Sequence, residues 1–135
     1  MTTVIAVDLG GTNLRAALID SADATILAHT AAPTPASGPS GDAITAAIID
    51  RIETLLASAP GESATAIGVA SAGPLDLDRG WVVNSPNIAF PVVEIVEPLS
   101  ERFDLPVALI NDARAGVLGE WWAGAARGSD NVVYV

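Results

Sequence analysis

The strongest constraint on the fold stands at the start of the chain. Thr3-Val4-Ile5-Ala6-Val7 is an apolar, β-branched run closed by Asp8 and then by Gly10-Gly11, which reads as a buried strand entering a tight turn. A hairpin follows, because two glycines permit the positive φ that such turns use. Leu14 to Ile19 and Ala24 to Thr30 give second and third strands, separated by the polar break Asp20-Ser21-Ala22-Asp23. Pro33, Pro35, Gly38, Pro39 and Gly41 then make an exposed loop that neither helix nor strand can continue.

From Asp42 the spacing follows the 3.6 period of a helix. Ile44, Ala47/Ile48, Ile52 and Leu55/Leu56 share one face, so the spacing predicts a helix with Asp42 as N-cap and Pro60-Gly61 beyond its end. Thr65 to Ser71 reads as another buried strand, broken at Gly73-Pro74. Residues 74 to 91 read as a long ordered loop carrying a short strand at Trp81-Val82-Val83, a kind of loop that is often functional. A helix is expected over Ile95 to Phe103 and a strand over Pro106 to Ile110. Asn111-Asp112 caps a further helix, Ala113 to about Ala123, ended by Gly124 and Gly128. Asn131 to Val135 reads as the start of one more strand. Trp81, Trp121 and Trp122 are expected to be core or interface anchors, and His29, late in a strand, a surface or packing residue.

Composition narrows the partners. The 135 residues suit one domain. The formal net charge of -10 and six scattered arginines, with no lysine, argue against a nucleic-acid surface. No apolar run reaches the roughly 20 residues needed to cross a bilayer. The chain has no cysteine, which removes disulfides and thiolate metal sites. Met1-Thr2-Thr3-Val4 lacks the basic and apolar regions of a signal peptide, so the chain reads as cytoplasmic.

Three constellations carry chemistry. In Asp8-Leu9-Gly10-Gly11-Thr12-Asn13 the glycines would let backbone N–H groups approach a phosphate, and Thr12 and Asn13 add side-chain donors. Asp8 would hold a hydrated Mg²⁺ beside that phosphate. An ordinary Asp/Gly hairpin turn explains the same residues, and neither a dinucleotide fingerprint nor a Walker loop is present. In Ile110-Asn111-Asp112 a carboxylate meets the positive end of a helix dipole, which favours its ionised form. It would accept a proton from a substrate hydroxyl, although a plain helix cap accounts for both residues too. Ser71-Ala72-Gly73-Pro74-Leu75-Asp76 and Asn84-Ser85-Pro86-Asn87 offer neutral hydrogen bonding of the kind a polyhydroxyl ligand needs, or are simply turns.

Taken in order, these segments resemble the amino-terminal half of the ROK family, bacterial sugar kinases and sugar-responsive repressors of the actin/hexokinase/Hsp70 superfamily. The likeness runs from Ile5 to Asp20, through Ile67 to Asp76 and Ser85-Pro86-Asn87, to Pro106 through Glu120. It implies a ribonuclease H-like (actin-like ATPase) α/β domain, a mixed sheet opening with an antiparallel three-stranded meander and flanked by helices. It also implies ATP-dependent, glucokinase-like phosphorylation of a hexose by the complete protein, with ATP and Mg²⁺ as cofactors. Asp112 would be the catalytic base. Gly73, Asn87, Asn111 and Asp112 would bind the sugar, Gly10, Gly11, Thr12 and Asn13 the phosphate, and Asp8 the Mg²⁺ through water.

Three positions depart from the family pattern. Asn13 stands where many members have lysine, Arg114 where asparagine is usual, and Ser71-Ala72 where a Pro-containing stretch is more common. Residues 1–135 are expected to be the amino-terminal domain, inactive alone, with the carboxy-terminal domain absent. That domain would bring the second phosphate loop, the adenosine pocket and any zinc site. The complete protein is expected to be a homo-oligomer. The alternatives are a sugar-sensing regulator, disfavoured by the motif's start near residue 4, and a non-catalytic sugar-binding module. The apolar surfaces left by a missing half are expected to weaken the isolated chain or make it self-associate.

Overall fold

The computed structural model describes residues 2–133. Its centre is a five-stranded mixed sheet in the order β3-β2-β1-β4-β8. Strands β1 (Thr3–Leu9), β2 (Asn13–Asp20) and β3 (Ile26–Pro33) form an antiparallel meander, and β4 (Ala64–Ser71) and β8 (Val107–Asn111) add to β1 in parallel. This is the mixed α/β sheet with a leading meander and flanking helices that the resemblance implied.

The period-two alternation of the strands decides which face is covered. Ile5, Val7, Leu9, Leu14, Ala16, Leu18, Ile67 and Val69 are buried on one face, against Ile44, Ile48, Ile52 and Leu55 of helix α1 (Asp42–Ser58). That layer is the core. The opposite face carries Ala6, Asp8, Ala17 and Ala70, none of them fully buried, and Gly68, where an added Cβ would meet nothing within 4 Å.

A second, three-stranded antiparallel sheet packs beside α1. It consists of β5 (Leu75–Asp76), β6 (Trp81–Val83) and β7 (Val92–Glu94). Residues 74–91 are therefore more ordered than a loop with one strand. Gly80, at φ 73°, turns the chain between β5 and β6, and its carbonyl accepts from Ile95 and Val96 at the start of α2 (Val96–Phe103). Its position admits no side chain, because a Cβ there would collide with Val96. Helix α3 (Asp112–Ala123) follows β8 directly and has no buried residue.

The structure revises the sequence reading at four places. The third strand begins at Ile26 and runs to Pro33, because Ala24 sits in the turn at φ 62°. Asp42 is not the cap of α1: Gly41 holds that position, packed on the backbone of Val92, with no side-chain capping bond. Trp121 and Trp122 are 52% and 45% exposed, so neither is a core residue. Residues 131–133 form no strand, and the rest of the expected last strand lies outside the described residues.

Candidate functional site

The carboxyl ends of the three parallel strands lie side by side. Asp8 pairs in register with Ala70, and Ala70 with Ile110; one step on, Leu9 pairs with Ser71, and Ser71 with Asn111. In open α/β sheets ligands bind outside such strand ends. Alternation turns Leu9 into the core and Asp8 outward onto the open face, where it is exposed beside Arg15 of β2. The backbone of Asp8 stands two strand spacings, roughly 10 Å, from that of Ile110.

The turn from β1 to β2 is closed by the Gly10 N–H donating to the Asn13 carbonyl at 3.0 Å. Thr34, which the sequence reading passed over, braces it: its N–H donates to the Thr12 carbonyl at 2.9 Å and its hydroxyl to the Gly10 carbonyl at 2.7 Å. Thr34 is nearly buried, while Gly11, Thr12 and Asn13 face outward. A Cβ on Gly11 would strike the Asn87 carbonyl oxygen and lie 3.0 Å from the Asn87 Cβ. Glycine is therefore required by contact, and two segments 76 positions apart in sequence touch there.

Asn111 ends β8 and caps α3. Its Oδ1 accepts from the N–H groups of Ala113 and Arg114 at 3.1 and 3.3 Å, the Ala113 N–H being shared with Asp112, and so covers amides that the helix itself leaves without partners. Asp112 Oδ1 accepts from the Ala113 N–H at 2.8 Å. Its carboxylate is exposed and lies at the positive end of the helix dipole.

Two clefts flank the start of α3. Asp8, Ala70, Asp112, Ala113, Ala115 and Gly116 line one of about 540 Å³. Gly73, Leu75, Asn111 and Arg114 are among those lining the other, of about 430 Å³, and a Cβ at Gly73 would stand 3.5 Å from Asn111 Nδ2. The fold thus unites Asp8 with Asp112 and Gly73 with Asn111. Gly10 to Asn13 and Asn87 form a third cluster that lines neither cleft.

Asp8 and Asp112 put two carboxylates on the wall of one cleft, a lining whose charge suits a cation. Asp8 fits a hydrated Mg²⁺, which keeps several waters and needs only one or two carboxylates. Among the described residues no cluster of three or more His, Cys, Asp or Glu could enclose a metal outright. No helix there is long and apolar enough to cross a membrane.

Comparison with known proteins gives consistent matches. The model of the ROK family matches residues 4–135. A glucokinase from Thermotoga maritima is 40% identical over 134 residues, which cover 96% of this chain and 40% of that protein. The crystal structure of a ROK hexokinase from Thermus thermophilus superposes with a TM-score of 0.80 at 35% identity, covering 94% of this chain and 41% of the other. A ROK family glucokinase from Streptomyces griseus, crystallised with glucose and AMPPNP, gives 0.74 at 32% identity, covering 95% and 39%. The chain spans about two fifths of the length of these relatives.

Proposed function

Because this chain belongs to the ROK family, we propose that it supplies the sugar-binding side and the catalytic base of an ATP-dependent, glucokinase-like hexose kinase. The observation that carries this reading is the cleft shared by Asp8 and Asp112, at the ends of adjoining parallel strands. Coverage of about two fifths of its relatives supports taking the chain as an amino-terminal domain. The remaining part would then bring the nucleotide pocket.

In this reading the hexose lies at the carboxyl ends of β4 and β8. Asn111, through its free Nδ2, and Gly73 hold sugar hydroxyls there, and Asn87, in the cluster at Gly11, would reach the sugar from the β1 side. Asp112 takes the proton of the attacking hydroxyl, whose oxygen bonds to the γ-phosphorus as the bond to the β,γ-bridging oxygen breaks and ADP leaves. The hydrogen bond from the Ala113 N–H fixes the carboxylate and leaves its second oxygen available. Outward-facing Gly11, Thr12 and Asn13 offer donors to phosphate oxygens, and Gly10, whose N–H closes the turn, shapes that loop. Bound Mg²⁺ would neutralise developing phosphate charge beside Asp8. Such chemistry is mostly positioning, so a lone domain that cannot close over ATP is expected to be inactive.

The test is hexose-dependent ADP formation by a protein that joins this chain to the rest of its family domain, with Asp112→Asn alongside. Loss of at least 10²-fold in kcat, with sugar affinity retained, is expected. Equal turnover by Asp112→Asn would overturn the assignment of the base. ATP-dependent hexose phosphorylation by residues 1–135 alone, abolished by the same substitution, would overturn the inactivity of the single domain. Sugar binding with no transfer in the joined protein would favour a sensing role instead.

A further inference from the structure

Asn111 has one amide oxygen and one amide nitrogen, and the oxygen is occupied by the two N–H groups it caps. Its side chain therefore presents only donors to the cleft it shares with Gly73. The other polar side chain lining that cleft is Arg114, which also only donates. Leu75, Leu77 and Leu118 contribute apolar wall, and no carboxylate lines it. The three ion pairs among the described residues take Arg51, Arg79 and Arg102, so Arg114 joins none. Asp112, roughly 200° around the helix from Arg114, lines the other cleft. The result is an apolar-walled recess with two donor side chains, one of them an unpaired cation.

Building on the hexose-binding reading above, we propose that Arg114 sets the specificity of the sugar site. The recess takes a hexose substituent whose oxygen accepts hydrogen bonds without donating them, a carboxylate or an acyl carbonyl, held by the guanidinium and by Asn111 Nδ2. A hydroxyl suits these donors less well, since no side chain in the recess accepts its proton. A carboxylate adds ionic attraction, which strengthens hydrogen bonds. An acyl group adds contact between its alkyl part and the leucines.

The experiment titrates glucose, glucuronate and N-acetylglucosamine into the joined protein used above, followed by calorimetry and ligand-observed NMR. Wild type, Arg114→Met and Arg114→Lys are compared, each checked for folding by circular dichroism. At least one substituted hexose is expected to bind wild type about tenfold more tightly than glucose. The glucuronate and acyl arms show which acceptor is chosen. Arg114→Met is expected to weaken all three and bring the ratio close to one. Arg114→Lys, which keeps the charge and loses the planar fork, should retain part of a preference for glucuronate and little of one for the acyl sugar. Hexose binding without preference, or a ratio unchanged in both variants, overturns the role of Arg114 and leaves the hexose site standing. Failure of the folded wild type to bind any of the three overturns the hexose site, and the role of Arg114 with it.

Discussion

At the scale of single residues, Asn111 does two jobs with the two ends of one amide. Asn111→Ala removes both capping bonds and is expected to cost about 1 kcal/mol of stability, read from urea unfolding, together with sugar binding. Asn111→Asp keeps the capping oxygen and removes the Nδ2 donor, so it should preserve stability more closely while weakening binding. Gly11→Ala sets a Cβ against the backbone of Asn87, which cannot swing aside, and is expected to cost about 1–3 kcal/mol. Far from the site, hydrogen bonds from the Thr25 hydroxyl and N–H hold the Asp23 carboxyl below its ordinary value. A depressed folded value contributes stability above the unfolded titration range, and that contribution is lost as pH falls through the folded value. An NMR titration of Asp23 placing its midpoint at or above that of a free aspartate would contradict this. Sequence alone pointed to Asp8, Asn111 and Asp112, because strand ends and helix caps leave local signals. It did not point to Thr34, whose bracing contacts join residues more than twenty positions apart.

At the scale of elements, the helix that covers the core and the helix that borders the site differ in how firmly they are held. Helix α1 buries Ile44, Thr45, Ile48, Ile52 and Leu55, and α3 buries none. Ile48→Ala is therefore expected to cost about 2–5 kcal/mol in chemical denaturation, while Val117→Ala, on the half-buried side of α3, should cost far less. Amide exchange should follow the same order, with α3 opening before α1. Both helices were legible from their 3.6 period and breakers, and the five main strands from their apolar, β-branched runs between breakers. The cap of α1 was not, since Asp42 has the favoured chemistry but packing on Val92 puts Gly41 in that place. Nor were β5 and β7, of two and three residues; β6, equally short, was marked by an uninterrupted Trp-Val-Val run, whereas the other two are interrupted by acidic residues and neighbouring prolines.

For the whole molecule, one side of the central sheet is closed and the other is open. On the open side a hollow of about 660 Å³ is lined by Ala6, Asp8, Ala17, Ile26, His29 and Ala70, among others. Leu118, Trp121 and Trp122 are also exposed. Apolar surface of this extent favours association, opposed by mutual repulsion at a net charge of -10. Sedimentation velocity is expected to show concentration-dependent self-association that grows with salt as that repulsion is screened. A monodisperse, cooperatively unfolding monomer under all these conditions would refute it. That Ala6, Ala17 and Ala70 would lack a covering layer was not legible in the sequence, since that depends on what α1 leaves uncovered. The same asymmetry governs which codons can drift. Toward α1 the isoleucines and leucines fit without slack, so a saturation library selected for folding alone would hold those positions nearly fixed. On the other side, at Gly68 and its alanine neighbours, the same selection would admit bulkier replacements freely, and any restriction that emerged only under selection for activity would mark what the open side is for.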